Sequence, residues 1–329
     1  MKFLSLFSGI GAPEQALKKL GVNFDLVAFS EFDKFATRSY CAIHGVDETK
    51  NLGDITKVDE ETLPKDLDLI TYGFPCQDIS ACGHQKGLFN DDGTLTRSGL
   101  FFDALRIIEA TRPKIAIAEN VKNLTSKRFE SEFQIILDSL EQAGYNNYFK
   151  VLNARHYGIP QDRERIFIVS IRKDIDTRLF KFPEPIPLEK PLEDLLEDAV
   201  DEKYYLSERA IEKMERFAPK RWNIAVCPTL TTELSHGTGK NLYPKIYKIF
   251  LELGRKPRML TPKECFRLMG FDDESYYRAS YVVSDTQLYK QAGNSIVVDV
   301  LIAIFKELSI GVDSTTRRKW LKDLLGDYL

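Results

Sequence analysis

Short apolar runs alternate with amphipathic stretches along roughly the first 175 residues, and this rhythm predicts a strand–helix repeat. Residues 3–7 read as a strand that runs into Ser8-Gly9-Ile10-Gly11. Residues 13–20 then read as a helix with Leu17 and Leu20 on one face, stopped by Gly21. A second strand, 26–29, ends at Ser30-Glu31, and a helix over 34–44 stops at Gly45. A third strand, 67–72, ends at Gly73-Phe74-Pro75-Cys76. Helices are predicted over 99–111 and 133–143, and strands over 114–119, 148–153 and 165–171, the last apolar on both faces. Between them, 77–96 carries Gly83, Gly87 and Gly93 and few apolar side chains, which reads as a long functional loop.

The rhythm weakens after the proline-rich Phe182-Pro183-Glu184-Pro185-Ile186-Pro187. Beyond it, 207–217, 262–269 and 295–308 read as helices, the second started by Thr261-Pro262 and closed by Gly270. Residues 224–257 read as irregular strands and loops, and 312–329 as a terminal helix without assigned function. The pattern predicts an α/β fold in three parts: 1–178, a smaller irregular unit over 179–272, and 273–329 returning to the first.

Composition narrows the class. The 329 residues are 43% hydrophobic, enough for an ordinary core. The apolar runs fall short of the roughly 20 residues that span a bilayer, and the N-terminus has no signal-peptide layout. A soluble, cytoplasmic protein without membrane contact is expected. The five cysteines (Cys41, Cys76, Cys82, Cys227, Cys265) form no C-x-x-C pair, and no His stands at ligand spacing, so reduced thiols and no metal site are expected. The net charge of −3 gives no hint of a polyanionic partner, but its distribution does. Residues 203–263 hold thirteen Lys/Arg against five Glu and no Asp, directly after an acidic stretch over 183–202. A local basic region can bind phosphates within a Debye length of about 8–10 Å, and a solvated mixed surface accounts for it equally well.

The strand ends carry the candidate chemistry. A glycine turn between strand and helix lets a ligand approach the backbone, and Glu31 at the next strand end is placed for ribose hydroxyls. Taken alone, Glu31 reads as a surface carboxylate. Asp54-Ile55 stands where an adenine edge could be read. The dinucleotide fingerprint G-x-G-x-x-G is incomplete, since Glu14 occupies the third glycine position, which argues against an NAD enzyme. Cys76, at a strand end and at the base of a glycine-containing loop, can be a nucleophile if its pKa is lowered, or a space-filling thiol. Glu119-Asn120 ends the next strand, and in an open parallel sheet it would share a crevice with Cys76. Gln161-Asp162-Arg163-Glu164-Arg165 brings two forked donors into a further strand, for a phosphate or base oxygen or for surface pairing with Asp162 and Glu164.

Taken together these segments resemble the DNA (cytosine-5) methyltransferase family over nearly the whole chain. Leu6-Phe7-Ser8-Gly9-Ile10-Gly11, Gly73–Gln77, Gly99–Asp103, Glu119-Asn120-Val121, Gln161–Arg165, Arg258–Phe271 and Gln291–Val297 follow the family's motifs in the family's order. The length is similar to the compact bacterial and phage members.

The resemblance implies a Rossmann-like, S-adenosylmethionine-dependent domain and a smaller target recognition domain. It implies catalysis by Cys76, adding to C6 of a flipped-out cytosine, with Glu119 on the N3/N4 edge, Arg165 on O2 and Arg163 in support. For the cofactor it implies Phe7, Gly9, Gly11, Glu31, Phe32, Asp54, Ile55, Gly73, Pro75, Leu100, Asn294 and Ser295, with Phe32 where a Trp is frequent. Double-stranded DNA is the implied partner, contacted by Gln77, Ser80, Cys82, Thr231, Lys240 and Asn241, with Cys82 or a neighbour filling the place of the flipped base. A monomer is expected, serving a restriction-modification system beside a separate cognate endonuclease, or acting as an orphan or phage protective methylase. The same chemistry on transfer RNA is the nearest rival, but its Cys-Phe-Thr motif is absent, because Cys265-Phe266 is followed by Arg267. A catalytically silent DNA-binding homologue would have lost Cys76 or Glu119, and both are present.

Overall fold

The structure is a computed structural model that describes residues 1–80, 86–220, 222–232 and 242–308. Its centre is a six-stranded mixed sheet built from β1 (Lys2–Leu6), β2 (Asp25–Ser30), β3 (Leu69–Tyr72), β4 (Ile115–Val121), β5 (Tyr145–Asn153) and β7 (Glu164–Arg172), in the order β2-β1-β3-β4-β7-β5. The first four strands are mutually parallel, whereas β7 runs antiparallel to both β4 and β5. This corrects the open parallel sheet expected from the sequence. Residues 154–163, which join β5 to the strands that follow, are too few for a crossover helix, and short connections favour antiparallel return.

Side chains alternate across the sheet with the two-residue period of a strand. Phe3, Leu69, Ile115, Ile117 and Val169 join one core, with residues of α1 (Ala12–Lys19), α2 (Lys34–His44) and α10 (Val298–Leu308). Leu4, Leu6, Ile70, Tyr72, Ala116 and Ala118 join the other, with α3 (Phe101–Thr111) and α4 (Glu130–Gln142). The first core continues into the second half of the chain through Leu192, Met214, Cys227, Tyr243 and Phe266.

Helix ends follow local chemistry. Asp33 caps α2 by accepting the Phe35 and Ala36 N–H groups, and Gly45 closes it in the left-handed region at φ 65°. Thr261 and Glu264 form a reciprocal capping box at the start of α7 (Pro262–Leu268). Ser207 caps α5 (Glu208–Phe217).

The second half holds more helix than its pattern suggested. Within the span expected to be irregular lies α6 (Tyr243–Glu252), and α8 (Asp273–Ser280) and α9 (Asp285–Asn294) precede α10. In α6, Tyr243, Ile246, Tyr247 and Phe250 form a buried stripe at helical spacing. Pro244 in its first turn marks a start, not a break. The helix expected from residue 295 begins at Val298 instead, because Ser295 is extended at φ −72°, ψ 159°. The apolar run Asp285–Leu308 thus bends at Asn294-Ser295, and 67% of its most apolar window is buried inside the fold.

Candidate active site

The chain turns outward in opposite directions from β1 and β3, so their carboxyl ends flank a topological switch point, the usual ligand crevice of such sheets. A pocket enclosing about 430 Å³, open mouth included, lies there. Phe7, Ser8 and Gly9 line it from the end of β1, Thr71, Tyr72 and Gly73 from the end of β3, Glu119 from β4, and Asn294 and Ser295 from the bend before α10.

The turn after β1 is shaped by its own contacts. Phe7 and Gly9 both have positive φ, 52° and 56°. Gly9 N–H donates to Glu31 at 2.8 Å, and Asp33 N–H donates to the other Glu31 oxygen at 2.7 Å. Glu31 therefore ties the turn to the end of β2. Burial pushes its carboxyl pKa up, against those two backbone donors. Gly11 is required for packing, because a Cβ there would come within 2.1 Å of His44 Nε2. Gly11 does not line the pocket described by its neighbours.

Cys76 and Glu119 do sit together at adjoining strand ends. Glu119 Oε1 lies 3.1 Å from Arg165 Nε, an ion pair that is mostly buried. Burial pushes the Cys76 thiol up, and neighbouring Glu119 adds to this. Arg165 and Arg163 pull it down without prevailing, so the lowered thiol considered from sequence is not found. Burial also raises Glu119, against both arginines. The cluster thus sets a thiol whose ionisation is opposed, a carboxyl raised above its ordinary range and a cation side by side.

Neighbouring side chains fix this geometry. Asn120 Nδ2 donates to the Phe74 carbonyl at 3.1 Å, which pins the turn leading to Pro75-Cys76. Asn123 donates to the Ile79 carbonyl at 2.6 Å. Asp78, 4% exposed, accepts from the Arg97 N–H at 3.1 Å and so closes the loop beyond Cys76. The roles of Asn120, Asn123 and Asp78 were not legible beforehand, because each acts on a backbone atom distant in sequence.

The Gln161–Arg165 segment divides its labour. Gln161, fully buried, accepts from Leu230 N–H at 3.0 Å and donates to the Leu268 carbonyl at 2.8 Å. Arg163, 3% exposed, donates to the carbonyls of Leu230 at 2.9 Å, Gly293 at 3.1 Å and Ser295 at 2.8 Å. Its guanidinium is therefore a bracket between two backbone segments, Leu230 on one side and Gly293–Ser295 on the other, and it does not face a ligand as a fork. Burial, with Arg165 second, brings its pKa down to about 9. Surface pairing with Asp162 and Glu164 is also set aside, since Asp162 pairs with Arg155 and Glu164 with Lys122. Of the two arginines, Arg165 alone pairs with the Glu119 carboxyl.

At the same joint, β6 (Gln161–Asp162) pairs in parallel with β8 (Cys227–Pro228). Gly293 lies against the backbone that follows, where a Cβ would come within 2.6 Å of Thr231 C and Thr232 N.

The remaining expected residues are spread around this centre. Phe32 presents its ring to solvent, 81% exposed. Asp54 accepts from the Thr56 N–H and hydroxyl at 3.1 and 2.9 Å. Ile55 is 4% exposed and packs in the second core, so its side chain faces away from solvent. Pro75 is half-buried, and Leu100 is half-buried where α3 begins. Gln77 and Thr231 are exposed and Ser80 is half-buried. Cys82, Lys240 and Asn241 lie outside the described residues.

The chain is similar to known proteins in sequence and in fold. The family described as C-5 cytosine-specific DNA methylase matches residues 1–309. The type II methyltransferase M.NlaX of Neisseria lactamica is 36% identical, over 97% of this chain and 99% of its own length. The type II methyltransferase M2.ScrFI of Lactococcus lactis subsp. cremoris is 42% identical, over 79% of this chain and 71% of its own. Among solved structures, the S. pombe Dnmt2 methyltransferase superposes with a TM-score of 0.69 at 23% identity, covering 94% of this chain and 98% of that one, a likeness of fold.

Proposed function

The chain belongs to the C-5 cytosine-specific DNA methylase family and is a DNA (cytosine-5) methyltransferase, and on that premise we propose that Cys76 attacks C6 of a flipped-out cytosine. The juxtaposition of Cys76, Glu119 and Arg165 supports this reading most directly. Cytosine C5 is too weak a nucleophile to accept a methyl group unaided. Adding a thiolate to C6 pushes the ring's π electrons onto C5, and protonation at N3 favours that addition. Glu119, held in a buried site that raises its pKa, is suited to carry the N3 proton. Arg165 would hold O2, and Arg163 acts through the backbone it brackets. After methylation, water acting as base takes H5 as a proton, the C5–H electron pair returns to the ring, and the C6–S bond breaks to release the Cys76 thiolate. Extruding the base from the duplex costs a few kcal/mol.

S-adenosylmethionine, when bound, supplies the electrophilic methyl group. The pocket residues fit such a group: Phe7 and Gly9 at the turn, Asn294 and Ser295 at the far wall, and an exposed Phe32 ring beside Glu31 for the nucleoside. In this reading residues 1–178 carry the chemistry, 179–272 read double-stranded DNA, and 273–329 complete the cofactor wall. The chain serves as a protective methylase, beside a cognate nuclease or alone. Bisulfite sequencing of DNA from cells expressing the chain, with Cys76→Ser as control, reads activity and target together. A duplex carrying 5-fluorocytosine, given with cofactor, should capture the wild-type protein covalently at Cys76. Glu119→Gln should slow single-turnover methyl transfer by about 10²-fold or more. An unchanged rate would remove Glu119 from the mechanism.

A further inference from the structure

Beneath the pocket lie three buried oxygens: Thr71 Oγ1, which has no hydrogen-bond partner, and Ser5 Oγ and Glu14 Oε2, which have only each other. Their residues are 1%, 3% and 1% exposed. Ser5 and Thr71 are register partners on β1 and β3, so their side chains share a face, and both line the pocket. Glu14 reaches toward the Ser5 hydroxyl from α1, and its other oxygen accepts from Tyr40 Oη at 2.7 Å. Buried polar groups are rarely left short of partners in native proteins, and a cluster served only by its own members points to something that pairs with it.

The donor set and the charge define what fits. A carboxylate and two hydroxyls, all able to accept, match a group with several N–H donors. The pocket lining itself contributes one acid, Glu119, and neither Lys nor Arg. We propose that Ser5, Thr71 and Glu14 form an ammonium-accepting subsite at the pocket floor, which takes the primary amine of the bound ligand. The proposal rests on reading the pocket as the S-adenosylmethionine site, since the amino-acid end of that molecule carries such an amine. A buried carboxyl raised by desolvation gains most from a cationic partner, which restores the interactions that burial removed. The residue that breaks the dinucleotide fingerprint thus acquires a use of its own.

Calorimetric titration of the full chain tests this without turnover. The ligands are S-adenosylhomocysteine and its analogue lacking the α-amino group. Wild type should prefer the amine-bearing ligand by about 10–100-fold, the scale of one charge-assisted hydrogen bond. Glu14→Gln, which keeps the size of the side chain and an oxygen for Tyr40, should lose most of that preference. Ser5→Ala and Thr71→Val together should reduce it several-fold, and they carry the test if circular dichroism shows Glu14→Gln unfolded. Equal affinity of wild type for the two ligands, or an undiminished preference in these variants, would overturn the subsite alone. Failure of wild type to bind either ligand would overturn the pocket assignment as well.

Discussion

Burial and the Glu119 carboxylate both oppose a thiolate at Cys76, so its thiol holds its proton more tightly than a free cysteine does. The two arginines offer partial compensation, so small changes in their surroundings shift the balance. Alkylation by iodoacetamide reads thiolate directly, and its rate at Cys76 should rise with pH around a midpoint above about 8.5, the ordinary thiol value. Glu119→Gln removes a negative neighbour, so the midpoint should move down. A midpoint that stays in place, or lies below the ordinary value, would contradict the electrostatic account. Arg163, expected from the family resemblance to support the site, shows what residue type alone leaves open. Its sequence position suggested a fork for a ligand, yet its donors reach three carbonyls from Leu230, Gly293 and Ser295.

At the level of elements, local signals and distant ones differ in what they disclose. The boundaries of α2 were readable to the residue, because Asp33 and Gly45 are local start and stop signals. The strand end before Cys76 was readable from Gly73, whereas β4 runs past its expected end at Glu119 to Val121. The direction of β7 was not readable, since antiparallel pairing depends on a partner strand and not on its own apolar run. Helix α6 was hidden by Pro244, although its buried stripe is plain once the proline is taken as a first-turn residue. The close approach at Gly293 was also invisible, because its neighbour, the Thr231-Thr232 backbone, is about 60 residues away in sequence. Gly293→Ala should force these segments apart and cost about 1–3 kcal/mol, the range for overpacking a tight contact. Chemical denaturation would measure that loss, and an unaltered midpoint would show that the joint yields freely.

At the scale of the whole molecule, an acidic protein has to hold a polyanion. The net charge of −3 would repel DNA if it were spread evenly, but 203–263 concentrates cations beyond an acidic stretch. Binding that depends on such a region should weaken as salt rises, with log K falling by about 0.9 per neutralised phosphate for each unit of log salt. Replacing exposed basic residues of that span, such as Lys213 and Arg216 on α5, should flatten the slope and leave single-turnover rates at saturating DNA intact. A slope unchanged by those replacements would place the phosphate contacts elsewhere.

The joint of Gln161, Arg163 and Gly293 carries a further implication. These residues grip Leu230 and the Thr231-Thr232 backbone through main-chain atoms, so their hold is indifferent to which side chains follow. A stretch exchanged between Thr232 and Leu242 would inherit the same moorings at its root. Under the proposed reading of 179–272 as the part that meets DNA, side-chain changes beyond Thr232 would leave the moorings of the Gln161–Arg165 segment as they were.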